Sequence, residues 1–303
     1  MIIVISVKLF QKPNYMYKTH SDEILPGDNV IIGLGDSFTQ GIGTYSLETW
    51  ASMPEKPSMF NISGQLFLEE QGQGSYVRQL VKNHLPNYKT FNLGINGAGN
   101  RAAVKELYLN PLPKQIGNVV VILMCSGIER YDFLKKDDES AGINWHQKWQ
   151  TIFPCITDRG TISQVDRAYF ERIYRSRNDA IELLMNIKDA ENFCKAHGYK
   201  FVFASAFDRL VNKKSLVEQL ENKAYLIDMV DWSNFISTEP YYAFIDMVNQ
   251  LENKPMSMSE IHQHYYDKTM PTKYITPCSH WSYEGAAYVA NFIHKELVKR
   301  ELV

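Results

Sequence analysis

Seven consecutive apolar residues, Val119-Val120-Val121-Ile122-Leu123-Met124-Cys125, constrain this chain more than any other stretch. Four of the seven are β-branched, which favours a strand. No polar residue interrupts the run, so neither face of the strand is prepared for water. Such a strand belongs inside a parallel sheet, with helices covering both sides.

Other segments fit that sheet. Asn29 to Gly33, Tyr88 to Leu93 and Tyr199 to Ala204 read as further strands. Tyr76, Val77, Leu80, Val81 and Leu85 recur at helical spacing ahead of Pro86. A helix is expected from Asn100 to just before Pro111, and a long one across residues 166–197, closed by Gly198. A last helix runs from Ser282 to Leu302; Ser282 suits its N-cap, and Ala286, Val289, Ala290, Ile293 and Leu297 share one face. The alternation predicts an α/β fold with a doubly wound, flavodoxin-like parallel sheet. One domain is expected over residues 1–303, with insertions at 45–70, 131–165 and 208–272. The first insertion lacks periodicity and holds Pro54 and Pro57, the second is polar and irregular, and the third mixes helical patterns with turns.

Composition closes off several function classes. The formal net charge of −2 over 303 residues offers no basic surface for nucleic acid or anionic lipid. Aromatic residues are plentiful, and core packing accounts for such residues more often than sugar binding does. The four cysteines show no CxxC spacing, and Cys125 and Cys194 read as buried small hydrophobes. The apolar start, Met1 to Lys8, lacks a basic n-region and a cleavage site and is too short to span a bilayer. No signal peptide is evident, and a cytoplasmic location is expected. His262 and His264 stand two apart with Asp267 nearby, but no third and fourth ligands stand out, so no metal is expected. Gly33-Leu34-Gly35-Asp36-Ser37-Phe38 starts like a dinucleotide fingerprint but lacks the third glycine, so no cofactor is expected either.

The chemistry-bearing segment is Gly35-Asp36-Ser37-Phe38-Thr39-Gln40-Gly41. A hydrolytic serine must be exposed to its substrate and paired with a base. A serine directly after a strand and a glycine turn meets the positional need, and its own N–H then sits near a helix N-terminus, facing a developing oxyanion. The same pattern also suits a plain turn with a capping serine.

Three blocks in order resemble those of the SGNH (GDSL-like) hydrolase family. The Gly-Asp-Ser turn matches its nucleophile block, Asn92-Leu93-Gly94-Ile95-Asn96-Gly97 its second block, and Ser279-His280-Trp281-Ser282-Tyr283-Glu284-Gly285 the setting of its C-terminal histidine. The resemblance implies Ser37 as nucleophile, His280 as base and Gly97 as a backbone oxyanion donor. Trp281 would then pack the last helix or cover the site. Two blocks depart. Where the family has Gly-x-Asn-Asp, this chain has Gly127-Ile128-Glu129-Arg130. A carboxylate at 129 cannot donate to an oxyanion, so Arg130 or Ser126 is the expected substitute, with Asn96 and Asn100 as further candidates. Where the family has Asp three residues before the histidine, this chain has Pro277, leaving a main-chain carbonyl or Asp267 to orient His280. The resemblance implies a serine esterase that cleaves an O-acyl ester, O-acetyl for preference, on a small molecule or a glycan, through a Ser-His dyad or an atypical triad. The alternative is a weak or inactive binding or structural module on the same scaffold. The chain also looks similar to SGNH-like proteins of large bacteriophages, which implies a virion-associated location.

Overall fold

Residues 21–41, 44, 74–95, 97–128, 130–134, 149–152, 176–241, 243–252, 254–257, 272–275 and 280–303 are described by a computed structural model. Along them the elements follow as β1 (Asn29–Leu34), α1 (Ser37–Gln40), α2 (Tyr76–His84), β2 (Tyr88–Asn92), α3 (Asn100–Leu109), β3 (Val119–Cys125), β4 (Tyr131–Leu134) and β5 (Trp149–Ile152). Then come α4 (Ser176–His197), β6 (Lys200–Ser205), α5 (Lys213–Leu220), two 3₁₀ segments (Glu221–Met229 and Trp232–Asn234), α6 (Phe244–Asn249) and α7 (Tyr283–Lys299).

The apolar run becomes β3, buried along its full length, as the absence of polar alternation requires. It pairs in parallel with β1 on one side and β6 on the other, and β1 pairs in parallel with β2, giving the order β2-β1-β3-β6. Successive side chains of β3 divide between two cores, because a strand presents alternate residues to opposite faces. Val120, Ile122 and Met124 join the core formed with Tyr76, Val77, Leu80 and Val81 of α2, Phe244 of α6, and Ala286, Val289, Ile293 and Leu297 of α7. Val119, Val121, Leu123 and Cys125 join the opposite core, with Ala103, Val104 and Leu107 of α3 and Leu183, Leu184 and Ile187 of α4. The doubly wound sheet expected from the sequence is therefore present.

Local signals act where they were expected. Ser282 caps α7 by accepting from Gly285 N at 3.1 Å. The helix ends at Lys299, three residues before the expected limit, where Arg300 N–H still donates to Glu296 O. Helix α4 ends at His197, and Gly198 follows with φ +70°, the left-handed conformation that glycine adopts without strain. The expected earlier turns of that helix, residues 166–175, lie outside the described residues, as does the whole 45–70 insertion. Within 131–165 the described parts are β4 and β5, which form an antiparallel pair. Within 208–272 the described parts include α5, both 3₁₀ segments and α6. No helix among the described residues is long and apolar enough to cross a membrane.

Candidate active site

The site lies where β1 and β3 end, the place at which the strand order reverses and open α/β sheets receive ligands. β1 runs into Gly35, whose φ is +150°. A Cβ at that position would run into Thr39 Oγ1 and stand 2.6 Å from Met124 O, so only glycine lets the chain turn against β3 here. Asp36 then caps α1, its Oδ1 accepting from Phe38 N at 3.0 Å. Ser37 opens the helix and is only 4% exposed.

His280 Nε2 lies 2.7 Å from Ser37 Oγ. With the imidazole proton on Nδ1, Ser37 Oγ–H donates to Nε2, the arrangement that general-base activation needs. The imidazole is held from behind by Phe38, whose ring centroid is 4.7 Å away. Phe38 also meets Trp281 at 4.7 Å and stacks on Phe207 at 5.5 Å. Trp281 is 1% exposed and further contacts Tyr76 and Phe244, so it packs the last helix rather than covering the site. The chain approaching His280 is anchored too. Glu252 accepts from Tyr274 N at 2.8 Å, Ile275 bridges Trp281, and Ser282 Oγ–H donates to Lys273 O at 2.6 Å.

The second glycine turn is fastened directly to the segment that carries Ser37. Asn92 Nδ2 donates to Thr39 O at 2.8 Å while its Oδ1 accepts from Gly94 N at 3.0 Å. Ile95 N donates to Gly35 O at 3.0 Å, and a Cβ on Gly94 would run into Gln40 N. Gly97 follows with φ +76°, in a turn closed by Ala98 N donating to Ile95 O.

Arg130 enters from the start of β4. Its Nη1 donates to Asp36 Oδ2 at 2.8 Å and to Ala98 O at 3.0 Å, and its guanidinium lies 4.8 Å from the Phe207 ring centre. Burial drives the Asp36 carboxyl above the ordinary carboxylate value, and the Arg130 cation and the Phe38 N–H offset part of that. Two residues on, Asp132 accepts from Gly99 N and Ala102 N, each at 2.9 Å, and so caps α3 from a neighbouring strand.

Of the other expected donors, Asn100 is committed to the end of β3: its Oδ1 accepts from Ser126 N at 2.9 Å and its Nδ2 donates to Ser126 O at 3.3 Å. Ser126 is itself buried. Asn96, Glu129, Asp267 and Pro277 lie outside the described residues, as do His262 and His264. Among the described residues no group of three or more histidine, cysteine or acidic side chains could hold a metal. Cys125 and Cys194 are free and buried, as read from their apolar surroundings, and burial pushes the Cys194 thiol up to about 12. Cys155 and Cys278 are outside the described residues.

Asp36 and Asp132 carried no role in the sequence reading. For Asp132 the sequence offered only its place two residues beyond Arg130. For Asp36 it offered adjacency to Ser37.

No protein-family model matches the sequence, and no curated protein matches it. Among solved structures, the chain is similar to the acetyl xylan esterase AlAXEase, at 14% identity over 88% of this chain and 99% of that one, with a TM-score of 0.39. It is also similar to a lipase/acylhydrolase from Enterococcus faecalis, at 12% identity over 90% and 96% of the two chains and a TM-score of 0.35. An acetylxylan esterase from Geobacillus stearothermophilus matches at 14% identity over 91% and 96%, with a TM-score of 0.35. Likeness at this level adds nothing to the geometry of the site.

Proposed function

We propose that the protein is a serine esterase, with Ser37 as nucleophile and His280 as general base. The observation that carries this reading is the 2.7 Å contact between His280 Nε2 and Ser37 Oγ at the carboxyl end of the parallel sheet. Ser37 Oγ attacks the acyl carbon as its proton passes to His280 Nε2. The tetrahedral oxyanion is held by the backbone N–H groups of Ser37 and Gly97. The C–O bond to the alcohol then breaks, and the alcohol leaves with the proton from Nε2. Water, deprotonated by the same nitrogen, hydrolyses the acyl-serine and returns Ser37.

The acyl group is small, acetyl for preference. Ser37 is almost fully buried, and the next residue, Phe38, packs its ring on His280, Phe207 and Trp281. The alcohol side is a small molecule or an O-acetylated glycan.

The test is labelling with a fluorophosphonate probe and peptide mapping, together with hydrolysis of p-nitrophenyl acetate, butyrate and octanoate. Adduct at Ser37 and fastest turnover of the acetate are expected. Folded protein that neither labels at Ser37 nor hydrolyses any of the esters would overturn the reading and leave the fold as a binding scaffold.

A further inference from the structure

The residue that faces Asp36 from the far side of the site is Arg130, and one nitrogen does two things there. Nη1 donates both to the carboxylate of the residue just before the nucleophile and to the carbonyl of the residue just after Gly97. The two turns that supply the backbone donors of the proposed oxyanion hole are thus joined through a single guanidinium.

We infer that Arg130 is a positioning residue that sets the separation of the Ser37 and Gly97 N–H groups, acting through Asp36 on one side and Ala98 on the other. This rests on the esterase reading above.

Three features give the strut its stiffness. Asp36 is fully buried and its other oxygen is already bound to Phe38 N, so the carboxylate cannot swing to follow a displaced cation. The guanidinium lies against the Phe207 ring, and Phe207 stacks in turn on Phe38, the residue after the nucleophile. Asp132, two residues further along the chain, holds Gly99 N and Ala102 N, so the far side of the Gly97 turn is fixed by the same segment. The planar guanidinium keeps its place by lying against the Phe207 ring, whereas a lysine is a point charge on a flexible stem.

A donor displaced by a fraction of an ångström stabilises the tetrahedral oxyanion far more weakly, while the ground-state ester, which carries no full charge on that oxygen, hardly senses it. Loss of the strut should therefore lower kcat and leave KM nearly unchanged. Losing one oxyanion donor outright costs roughly 10²–10³-fold in rate, so misplacing donors should cost about 10–10²-fold.

Arg130→Met alone would leave the Asp36 charge buried without its main partner and risks failing to fold. The test is therefore the double variant Asp36→Asn/Arg130→Met, which removes both charges and keeps an amide oxygen for Phe38 N, run beside Arg130→Lys. Each is checked for folding by circular dichroism and thermal melting. Hydrolysis of p-nitrophenyl acetate and inhibition by a trifluoromethyl ketone, which forms a charged tetrahedral adduct, are then compared with wild type. A kcat lowered about 10–10²-fold with KM within twofold, and ketone affinity lowered in parallel, is expected of the folded double variant. Arg130→Lys should show the same pattern more mildly. A folded double variant with wild-type kcat and ketone affinity overturns the inference, as does a loss carried wholly by KM. If wild-type protein itself neither labels nor hydrolyses, the esterase reading fails instead, and the two failures are distinct.

Discussion

His280 Nε2 meets Ser37 Oγ at 2.7 Å across 243 positions of chain. Neither residue could reach the other without the sheet. β1 delivers the serine and α7 fixes the histidine, and both pack on the same face of β3 through Phe38 and Trp281. On the esterase reading, Ser37 and His280 act as one unit, and residues that act as one unit have non-additive knock-outs. Ser37→Ala and His280→Ala should each lower kcat for p-nitrophenyl acetate by about 10³–10⁶-fold, and the double variant should fall little further. Steady-state rates on the three variants check this. A double variant that loses the product of the two single losses would show that the residues act separately.

Gly35 and Gly27 both have positive φ, at +150° and +89°, yet they should respond very differently to alanine. Nothing lies within 4 Å of a Cβ built on Gly27. Gly27→Ala should cost only the backbone strain, roughly 1 kcal/mol. A Cβ on Gly35 would meet the backbone of β3 at Met124 O as well as Thr39. Gly35→Ala should cost about 3 kcal/mol or more, and it should displace the nucleophile turn with it. Urea unfolding of the two variants gives the comparison. Equal losses would mean that the clash at Gly35 relaxes freely.

Asn92 joins the two glycine turns by donating to Thr39 O and accepting from Gly94 N. Asn92→Asp keeps the acceptor, loses the donor and places a carboxylate against a carbonyl oxygen. A loss of about 1–3 kcal/mol in stability is expected, with a larger proportional fall in kcat than Asn92→Ala shows, because the repulsion pushes the turns apart. Melting curves and initial rates on both variants test it, and a wild-type rate in Asn92→Asp would refute the link.

The sheet was legible because burial of β3 on both faces leaves its mark as an uninterrupted apolar run, and α7 because its cap and its apolar stripe agree. Ser37, Gly97 and His280 could be named because the three blocks that carry them resemble, in order, those of a known hydrolase family. The job of Arg130 was not legible. A charged side chain beside a site reads equally well as a substrate binder or an oxyanion donor, and what decides is its partner. That partner, Asp36, lies 94 positions earlier. Sequence spacing holds no record of which buried carboxylate a cation will meet. The pairing of Asn100 with Ser126 was hidden for the same reason, since a turn asparagine looks free until the neighbouring strand end is in place.

Asp132 caps α3 from another strand, so its loss should look like the loss of an N-cap even though no local motif identifies it. Gly99, the residue at the N-cap position, offers no side chain of its own. Asp132→Ala leaves Gly99 N and Ala102 N without their carboxylate, and a cost of about 1–2 kcal/mol is expected, with Asp132→Asn losing about half of that. Hydrogen exchange on the first turn of α3 should quicken in the alanine variant. Unchanged exchange there would assign the cap to another group.

His84 and His294 stack at 4.6 Å, with their rings only 14° from parallel, where α2 meets α7. Partial burial lowers the His294 pKa below its ordinary 6.5, and the neighbouring His84 lowers it further. Between the lowered value and 6.5 the unfolded chain therefore binds more proton than the folded one, so stability rises with pH through that window and is lost as pH falls through it. The imidazole is only partly buried, so solvent screens the effect, and the melting temperature should change by no more than roughly 1 °C on its account. His294→Gln removes the titrating group and should flatten the dependence of melting temperature on pH below 6.5. His84→Gln removes only the neighbouring charge and should flatten it in part. Melting curves from pH 5 to 7.5 at fixed ionic strength separate the three proteins. A His294→Gln curve with the wild-type slope would place the proton uptake on other groups.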